Sequence, residues 1–265
     1  MTAETLFISS LQNQKVKQLV LLQQKSSERK KSGLFVVEGL RELRHCVSMD
    51  YEIESLFFCS ELLNEPVDDI PAFQRYKVTH QVYEKIAYRS STEGVVAVMR
   101  MHHLKLEDLL LKENPLLVVL ESVEKPGNLG AVLRSADAAG ADAVIVCDPL
   151  TDLYNPNLIR ASIGALFTIP TVAVSSDECI RFLKTRGIRI LTAQLQDSEV
   201  YYDTDMRRGT AIVMGTEATG LTNQWREAAD AHIRIPMLGR LDSLNVSVSA
   251  AILLFEAVRQ RMGSC

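Results

Sequence analysis

The sequence predicts an α/β protein built in two parts, and three observations lead there. Short apolar runs recur along the chain and alternate with stretches whose apolar residues fall at helical spacing. The rhythm breaks at His102–Pro115, where Lys105, Glu107, Asp108, Lys112 and Glu113 interrupt the leucines, and it restarts at Leu116. Beyond that point the strands read as continuously apolar, the pattern of a parallel sheet covered on both faces. A chain of 265 residues, 47% of them apolar, has enough hydrophobic material for two cores. The expected organisation is a small α/β domain over 1–101, a connection over 102–115 and a larger domain over 116–265.

In the first part, Ile8 to Gln24 carries a Ser9–Ser10 cap signal and then Leu11, Val16, Leu19 and Val20, with Lys15 and Lys17 on other faces. This predicts an amphipathic helix with a basic side. Ser26 to Gly33 is polar and basic, and Leu34–Val37 follows as a buried strand. A helix over Leu40–Met49, strands over Ile53–Phe58 and Tyr76–Val78, a helix over Gln81–Ala87 and a strand over Gly94–Met101 complete the part.

In the second part, strands are expected at Leu116–Leu120, Ala143–Val146, Phe167–Val172, Arg189–Ala193, Ala211–Met214 and His232–Ile235. Helices are expected at Leu129–Ala139, Pro156–Ala161, Asp177–Arg186 and Val246–Met262. Ligands of such sheets gather at the carboxyl ends of the strands.

Composition removes several classes of function. The net charge of −4 gives no global basic signature. Locally the balance differs: eight Lys/Arg against three Glu between Lys15 and Arg44 leave +5, and the remainder of the chain −9. That asymmetry suits a first part that meets a polyanion, and equally a solvated helical face. The five cysteines are far apart without a C-x-x-C, and the histidines lack H-x-x-x-H or H-E-x-x-H spacing, so no bound metal is expected. No apolar run approaches the roughly 18 to 20 residues of a membrane span, and MTAETLFISS lacks the basic-then-apolar order of a signal segment. A cytoplasmic protein is expected.

Three polar clusters stand at the ends of apolar strands. After Leu116–Leu120 come Gly127, Asn128, Gly130 and Arg134; the spacing is not G-x-G-x-x-G, and Gly-Lys-Ser/Thr occurs nowhere. If both Asn128 and Arg134 are helical they stand about 120° apart around the axis; with Asn128 in the turn, both can lean over the strand's end. After Ala211–Met214 come Gly215, Glu217 and Gly220, two glycines flanking a carboxylate. After His232–Ile235 come Asp242, Ser243 and Asn245, more polar capacity than one helix cap uses. Singly, each cluster is equally an ordinary strand-to-helix turn. The segment with Asn157, Arg160 and Ser162 is a further polar loop near the sheet edge.

Taken in order, N-x-G-x-x-x-R (Asn128, Gly130, Arg134), G-x-E-x-x-G-L (Gly215, Glu217, Gly220, Leu221) and I-P-M-x(5)-S-L-N-V-S-V (Ile235, Pro236, Met237, Ser243, Leu244, Asn245, Val246) resemble the three signature motifs of the SpoU/TrmH family of RNA ribose 2′-O-methyltransferases, in the SPOUT superfamily. The opening ISSLQNQKVKQLVLL to GLFVVEGLREL also looks like the RNA substrate-binding domain fused to many members. The resemblance implies a parallel sheet with a deep trefoil knot in its C-terminal part, an exception to the rule against knots. It implies S-adenosylmethionine as methyl donor, held by Thr192, Ala193, Leu195, Gly215, Ile235, Met237 and Leu244, and a homodimer formed through the C-terminal domain.

For catalysis it implies Arg134, Asn128, Glu217, Ser243 and Asn245. An arginine is a poor proton acceptor, so the expected role of Arg134 is to grip a phosphate and polarise the ribose hydroxyl. The first part resembles a ribosomal-protein-like RNA-binding fold, with Lys15, Lys30, Lys31 and Arg41 as phosphate contacts. Ribosomal RNA is the expected substrate, with transfer RNA the alternative. A non-catalytic RNA-binding relative would have lost the motif side chains, which are all present. A nucleotide-dependent Rossmann enzyme would need a phosphate loop, which is missing.

Overall fold

The computed structural model describes residues 4–88, 93–216 and 219–263. They form two compact units, one of Met1–His102 with Asp152–Arg160, the other of His103–Thr151 with Ala161–Cys265. Chain order therefore does not fully set compactness. Residues 152–160 join the first unit through Asp152, which pairs with Arg29 at 2.7 Å, and Tyr154, whose hydroxyl donates to the His102 carbonyl at 2.7 Å.

The first unit contains β1 (Thr5–Ile8), α1 (Gln14–Gln24), α2 (Ser26–Ser32), β2 (Leu34–Glu38), α3 (Leu40–Ser48), β3 (Ile53–Phe58), β4 (Gln74–Val78), α4 (His80–Ile86) and β5 (Val95–Arg100). Its sheet runs β1-β4-β3-β5-β2, parallel from β1 to β3 and antiparallel around β5. Two expectations change here. Helix α1 is capped not by Ser9 or Ser10 but by Asn13, whose Oδ1 accepts from the Lys15 N–H at 2.8 Å. The residues before it form edge strand β1, which the sequence hid because Leu6 and Phe7 are both exposed. The basic stretch is helical as α2, closed by Gly33 at φ 68°, where a Cβ would be penalised. Leu19, Leu22, Val36, Phe57, Val82 and Ile86 fill the core of this unit.

The second unit contains β6 (Leu116–Glu121), α5 (Pro126–Ala138), β7 (Ala143–Cys147), α6 (Pro156–Ser162, shared with the first unit), α7 (Ala165–Thr168), β8 (Thr171–Val174), α8 (Ser176–Thr185), β9 (Arg189–Ala193), β10 (Glu199–Val200), β11 (Thr210–Met214), α9 (Asn223–Ala228), β12 (Ala231–Arg234) and α10 (Val246–Met262). The expected strand over Phe167–Val172 is instead α7 followed by β8. Pro170 has no N–H to give a ladder, and the strand starts only after it. Helix α9 and strand β10 escaped the sequence, although α9 seats the wholly buried Trp225, whose indole N–H donates to Ser176 Oγ at 3.0 Å.

Its seven strands lie in the order β10-β12-β9-β11-β6-β7-β8, every pairing parallel. Strands β12, β9, β11 and β6 are consecutive, so the loops leaving their carboxyl ends crowd one edge. Those loops hold residues 235–245, 194–198, 215–221 and 122–125. Both sheet faces are buried by apolar side chains: Leu117, Val119, Ile145, Ile190 and Val213 point to one, where Leu183 of α8 packs, and the alternate positions Val118, Leu120, Val144, Val146 and Ile212 are buried on the other. No helix among the described residues is long and apolar enough to cross a membrane.

Candidate active site

Helix α5 begins three residues earlier than its periodicity suggests, with Pro126 in its first turn, where a missing N–H costs nothing. Asn128 is therefore helical and does not lie in a preceding turn. It stands about 120° around and roughly 9 Å along the axis from Arg134. Asn128 is half-buried and Arg134 is exposed. Gly130 serves packing: a Cβ there would lie 2.6 Å from Ala161 Cβ and 2.7 Å from the Ala161 carbonyl carbon.

Of the three polar residues crowded before α10, only Asn245 caps. Its Oδ1 accepts from Ser247 N–H at 3.0 Å and from Ser247 Oγ at 2.6 Å. Ser243 instead donates to Asp242 Oδ1 at 3.2 Å and stays exposed. The second arm of the Asn245 amide, Nδ2, donates to Asn128 Oδ1 at 3.1 Å. The first and third clusters, 117 residues apart, thus meet through side chains. Glu217 falls outside the described residues.

The expected donor-binding residues divide. Leu195, Ile235 and Met237 line one cavity of about 480 Å³, together with Arg234, Pro236, Gly239, Arg240, Leu241 and Asp242. Ala193 ends β9, and the next N–H, of Gln194, donates to the Ile233 carbonyl at 3.0 Å. Thr192 has no exposed surface, and its hydroxyl shares a 2.6 Å hydrogen bond with His232 Nδ1, so its side chain is committed to the sheet. Gly215 opens a pinched loop: a Cβ there would sit 2.2 Å from the Gly220 carbonyl oxygen, and Gly220 takes φ 67°. Leu244 is 39% exposed, an apolar side chain left at the surface beside Asn245.

An apolar wall, a charged rim and exposed leucines suit a ligand with both an apolar and a charged end. One polar atom also lacks a partner. Gln194 Oε1 is buried without a hydrogen bond among the described residues, one residue before the cavity-lining Leu195. The site residues thus fit a nucleoside-type donor such as S-adenosylmethionine. Cys147, at the end of β7, offers no nucleophile, because its hydrogen bond with Cys179 and its burial hold the thiol far above the ordinary range. Among the described residues, no group of three or more His, Cys, Asp or Glu is placed to hold a metal.

In the first unit, the +5 of the sequence overstates the free charge. Arg29 is buried against Asp152, while Arg41 pairs with Glu42 at 2.8 Å and Arg44 with Glu65 at 2.7 Å. Lys30 and Lys31 remain exposed and Lys15 is half-buried.

Residues 115–255 match the SpoU rRNA Methylase family, and residues 13–97 match the MRM3-like substrate binding domain. The chain is 32% identical over 248 residues to a 23S rRNA (uridine(2479)-2′-O)-methyltransferase of Streptomyces viridochromogenes, covering 89% of this chain and 86% of that one. It is 30% identical to the 23S rRNA (guanosine(2553)-2′-O)-methyltransferase RlmP of Bacillus subtilis, covering 94% and 97%. Its fold superposes with a TM-score of 0.88 on an AdoMet-bound rRNA methyltransferase of Sinorhizobium meliloti, at 29% identity and with 96% and 98% of the two chains covered. With more than half its length inside that first match and its three motif loops on one sheet edge, the chain belongs to the SpoU rRNA methylase family.

Proposed function

We propose that this chain, an RNA ribose 2′-O-methyltransferase by family, uses S-adenosylmethionine to methylate a ribose in ribosomal RNA. The observation that carries the reading is the Asn245–Asn128 hydrogen bond, which joins the first motif, in α5, to the third, three residues beyond Asp242 of the cavity wall. Leu195, Ile235, Met237 and the backbone of the 215–221 loop would hold the donor, which supplies an electrophilic methyl group. Asn128 and Asn245 orient the ribose, with Ser243 at the exposed rim. Arg134, exposed on α5, grips the neighbouring phosphate and lowers the proton affinity of the 2′-hydroxyl electrostatically. Glu217 is assigned to fixing its loop or Arg134. Holding hydroxyl and methyl in line can contribute about 7 to 11 kcal/mol in favourable systems.

Lys15, Lys30 and Lys31 are assigned to phosphates, and Arg41 would join them by exchanging its Glu42 partner for a phosphate. Domain boundaries near 101 and 116, a trefoil knot, and cytoplasmic location following the substrate complete the reading. A homodimer through α10 is supported by Val248, Phe255 and Met262, which recur every seventh residue and are 46%, 50% and 74% exposed. The two curated relatives act on a uridine and a guanosine, so likeness alone does not fix the base.

The test uses Arg134→Ala. Methyl transfer to ribosomal RNA should be lost while calorimetric affinity for S-adenosylmethionine stays at the wild-type value. Loss of donor affinity, or transfer that stays at the wild-type rate, would overturn the role. Mapping ribose methylation in a strain lacking the gene should reveal one missing site in ribosomal RNA, and a missing site in transfer RNA would move the substrate.

A further inference from the structure

Glu121, the last residue of β6, is 2% exposed and has no ion-pair partner among the described residues. A carboxylate buried without a cation is unfavourable unless its oxygens are hydrogen-bonded. Here both donors come from one distant residue. Thr222 N–H donates to Oε2 at 2.9 Å and Thr222 Oγ to Oε1 at 2.7 Å. Thr222 is the N-cap of α9, where a threonine hydroxyl ordinarily accepts from its own helix, yet it makes no such bond. Its hydroxyl is turned to the carboxylate of β6 instead of to the helix.

The clasp sits at both ends of one loop. Leu120 pairs with Met214 across β6 and β11, which puts Glu121 level with Gly215, the first residue of the 215–221 loop. Thr222 is the first residue beyond that loop. Within it, Thr216 and Gly220 form a backbone bridge, and the Gly215–Gly220 approach leaves no room for a Cβ. The described ends of the loop, 215–216 and 219–221, are thus pinched together at its neck and tied to β6 through Thr222.

We propose that Glu121 is a positioning residue for the methyl donor: by clasping Thr222 it holds the neck of this loop, Gly215–Thr216 against Gly220–Leu221, in the form that binds S-adenosylmethionine. The inference rests on the donor reading given above. Glu121 touches no reacting atom, and its effect passes through the loop. Its signature is weakened donor binding with little change in turnover once the donor saturates.

The experiment combines calorimetric titration of the full chain with S-adenosylmethionine, steady-state methyl transfer at saturating ribosomal RNA, and thermal melting. Glu121→Gln places an amide N–H₂ against one Thr222 donor and should raise both the donor Kd and the donor KM about 10-fold, the loss expected of one charge-assisted bond. Its kcat at saturating donor should stay near wild type. Thr222→Val loses the hydroxyl alone and should weaken donor binding less, while Thr222→Ser keeps both donors and should bind as wild type. The double variant Glu121→Gln/Thr222→Val should be no worse than Glu121→Gln alone.

Should Glu121→Gln fail to fold, the two Thr222 variants carry the test. A wild-type Kd for the donor in Glu121→Gln or Thr222→Val, with only the melting temperature lowered, would make the clasp a structural staple and overturn the inference. A folded wild-type chain that gives no heat with S-adenosylmethionine would overturn the donor reading, and this inference with it.

Discussion

Asn245 Nδ2 donates to Asn128 Oδ1 at 3.1 Å while Asn245 Oδ1 caps α10, so one amide joins two motifs and starts a helix. The two jobs can be separated. Asn245→Asp keeps an acceptor for the cap but has no donor for Asn128, whose amide must then turn over. Its melting temperature should remain near wild type while kcat falls about 10-fold. Asn245→Ala loses both, removing in addition about 1 kcal/mol of cap stability and lowering the melting temperature by about 2–4 °C. Melting curves beside initial methylation rates distinguish them; equal rates in wild type and Asn245→Asp would remove Asn245 from the orientation of the ribose.

Three glycines in or beside the motifs should respond differently to the same methyl group. Gly130→Ala meets Ala161, including its backbone, at 2.6–2.7 Å and should destabilise by about 1–3 kcal/mol despite alanine's helix preference. Gly215→Ala meets the Gly220 carbonyl at 2.2 Å and should open the loop, losing donor affinity more than stability. Gly127→Ala has nothing within 4 Å in the first turn of α5 and should be neutral or stabilising. Denaturant melts and donor titrations of the three variants check the order.

Much of the fold was legible because strands β6, β7, β9 and β11 are buried on both faces and therefore read as plain apolar runs. The limits of α10 at Val246 and Met262 were equally visible, since Asn245 is a conventional cap before an apolar pattern. What the sequence hid is non-local. Strand β1 is mostly exposed and is defined by its pairing with β4, not by a pattern of its own. Residues 152–160 belong to the first unit because Arg29 needs a carboxylate, a fact no periodicity carries. The motif residues were found by resemblance, but that Asn245 rather than Ser243 reaches Asn128 follows only from where α5 and α10 start. Glu121 was passed over because a carboxylate at a strand end looks like surface.

Acid should loosen the end of α10. Glu256 is buried, and Arg259 foremost, with Gln260, holds its carboxyl below the ordinary range near 4.5. A depressed carboxylate contributes stability that is complete above its unfolded value and is lost as pH falls through the folded one. The wild-type melting temperature should therefore drop as pH falls below about 4.5. Glu256→Gln should start lower at neutral pH and show a flatter acid limb. Parallel acid limbs in the two proteins would assign the acid loss elsewhere.

The seventh-residue stripe on α10 makes a prediction about assembly. Val248, Phe255 and Met262 are exposed, yet they occupy one face of a helix whose other face, with Ala250, Leu253, Leu254 and Ala257, is buried. Phe255→Glu should leave the melting temperature of the monomer fold near wild type and convert a dimer to a monomer in sedimentation. A wild-type chain that already sediments as a monomer would contradict the assembly.

The salt dependence of RNA binding tests the basic helix α2. Arg29 is spent on Asp152, and Arg41 and Arg44 on glutamates, so Lys30 and Lys31 are the exposed charges of α2 able to meet phosphate. Each phosphate neutralised contributes about 0.7 to the log–log salt slope on single-stranded RNA and about 0.9 on a duplex. Lys30→Gln/Lys31→Gln should therefore reduce the slope by about 1.4 to 1.8 and weaken binding at low salt more than at high salt. Because phosphate contacts position without reading sequence, the loss should be alike for substrate and unrelated RNA. An unchanged slope would put the polyanion on another surface of the first unit, with Lys15 and the Lys17 beside it as the next charges to neutralise.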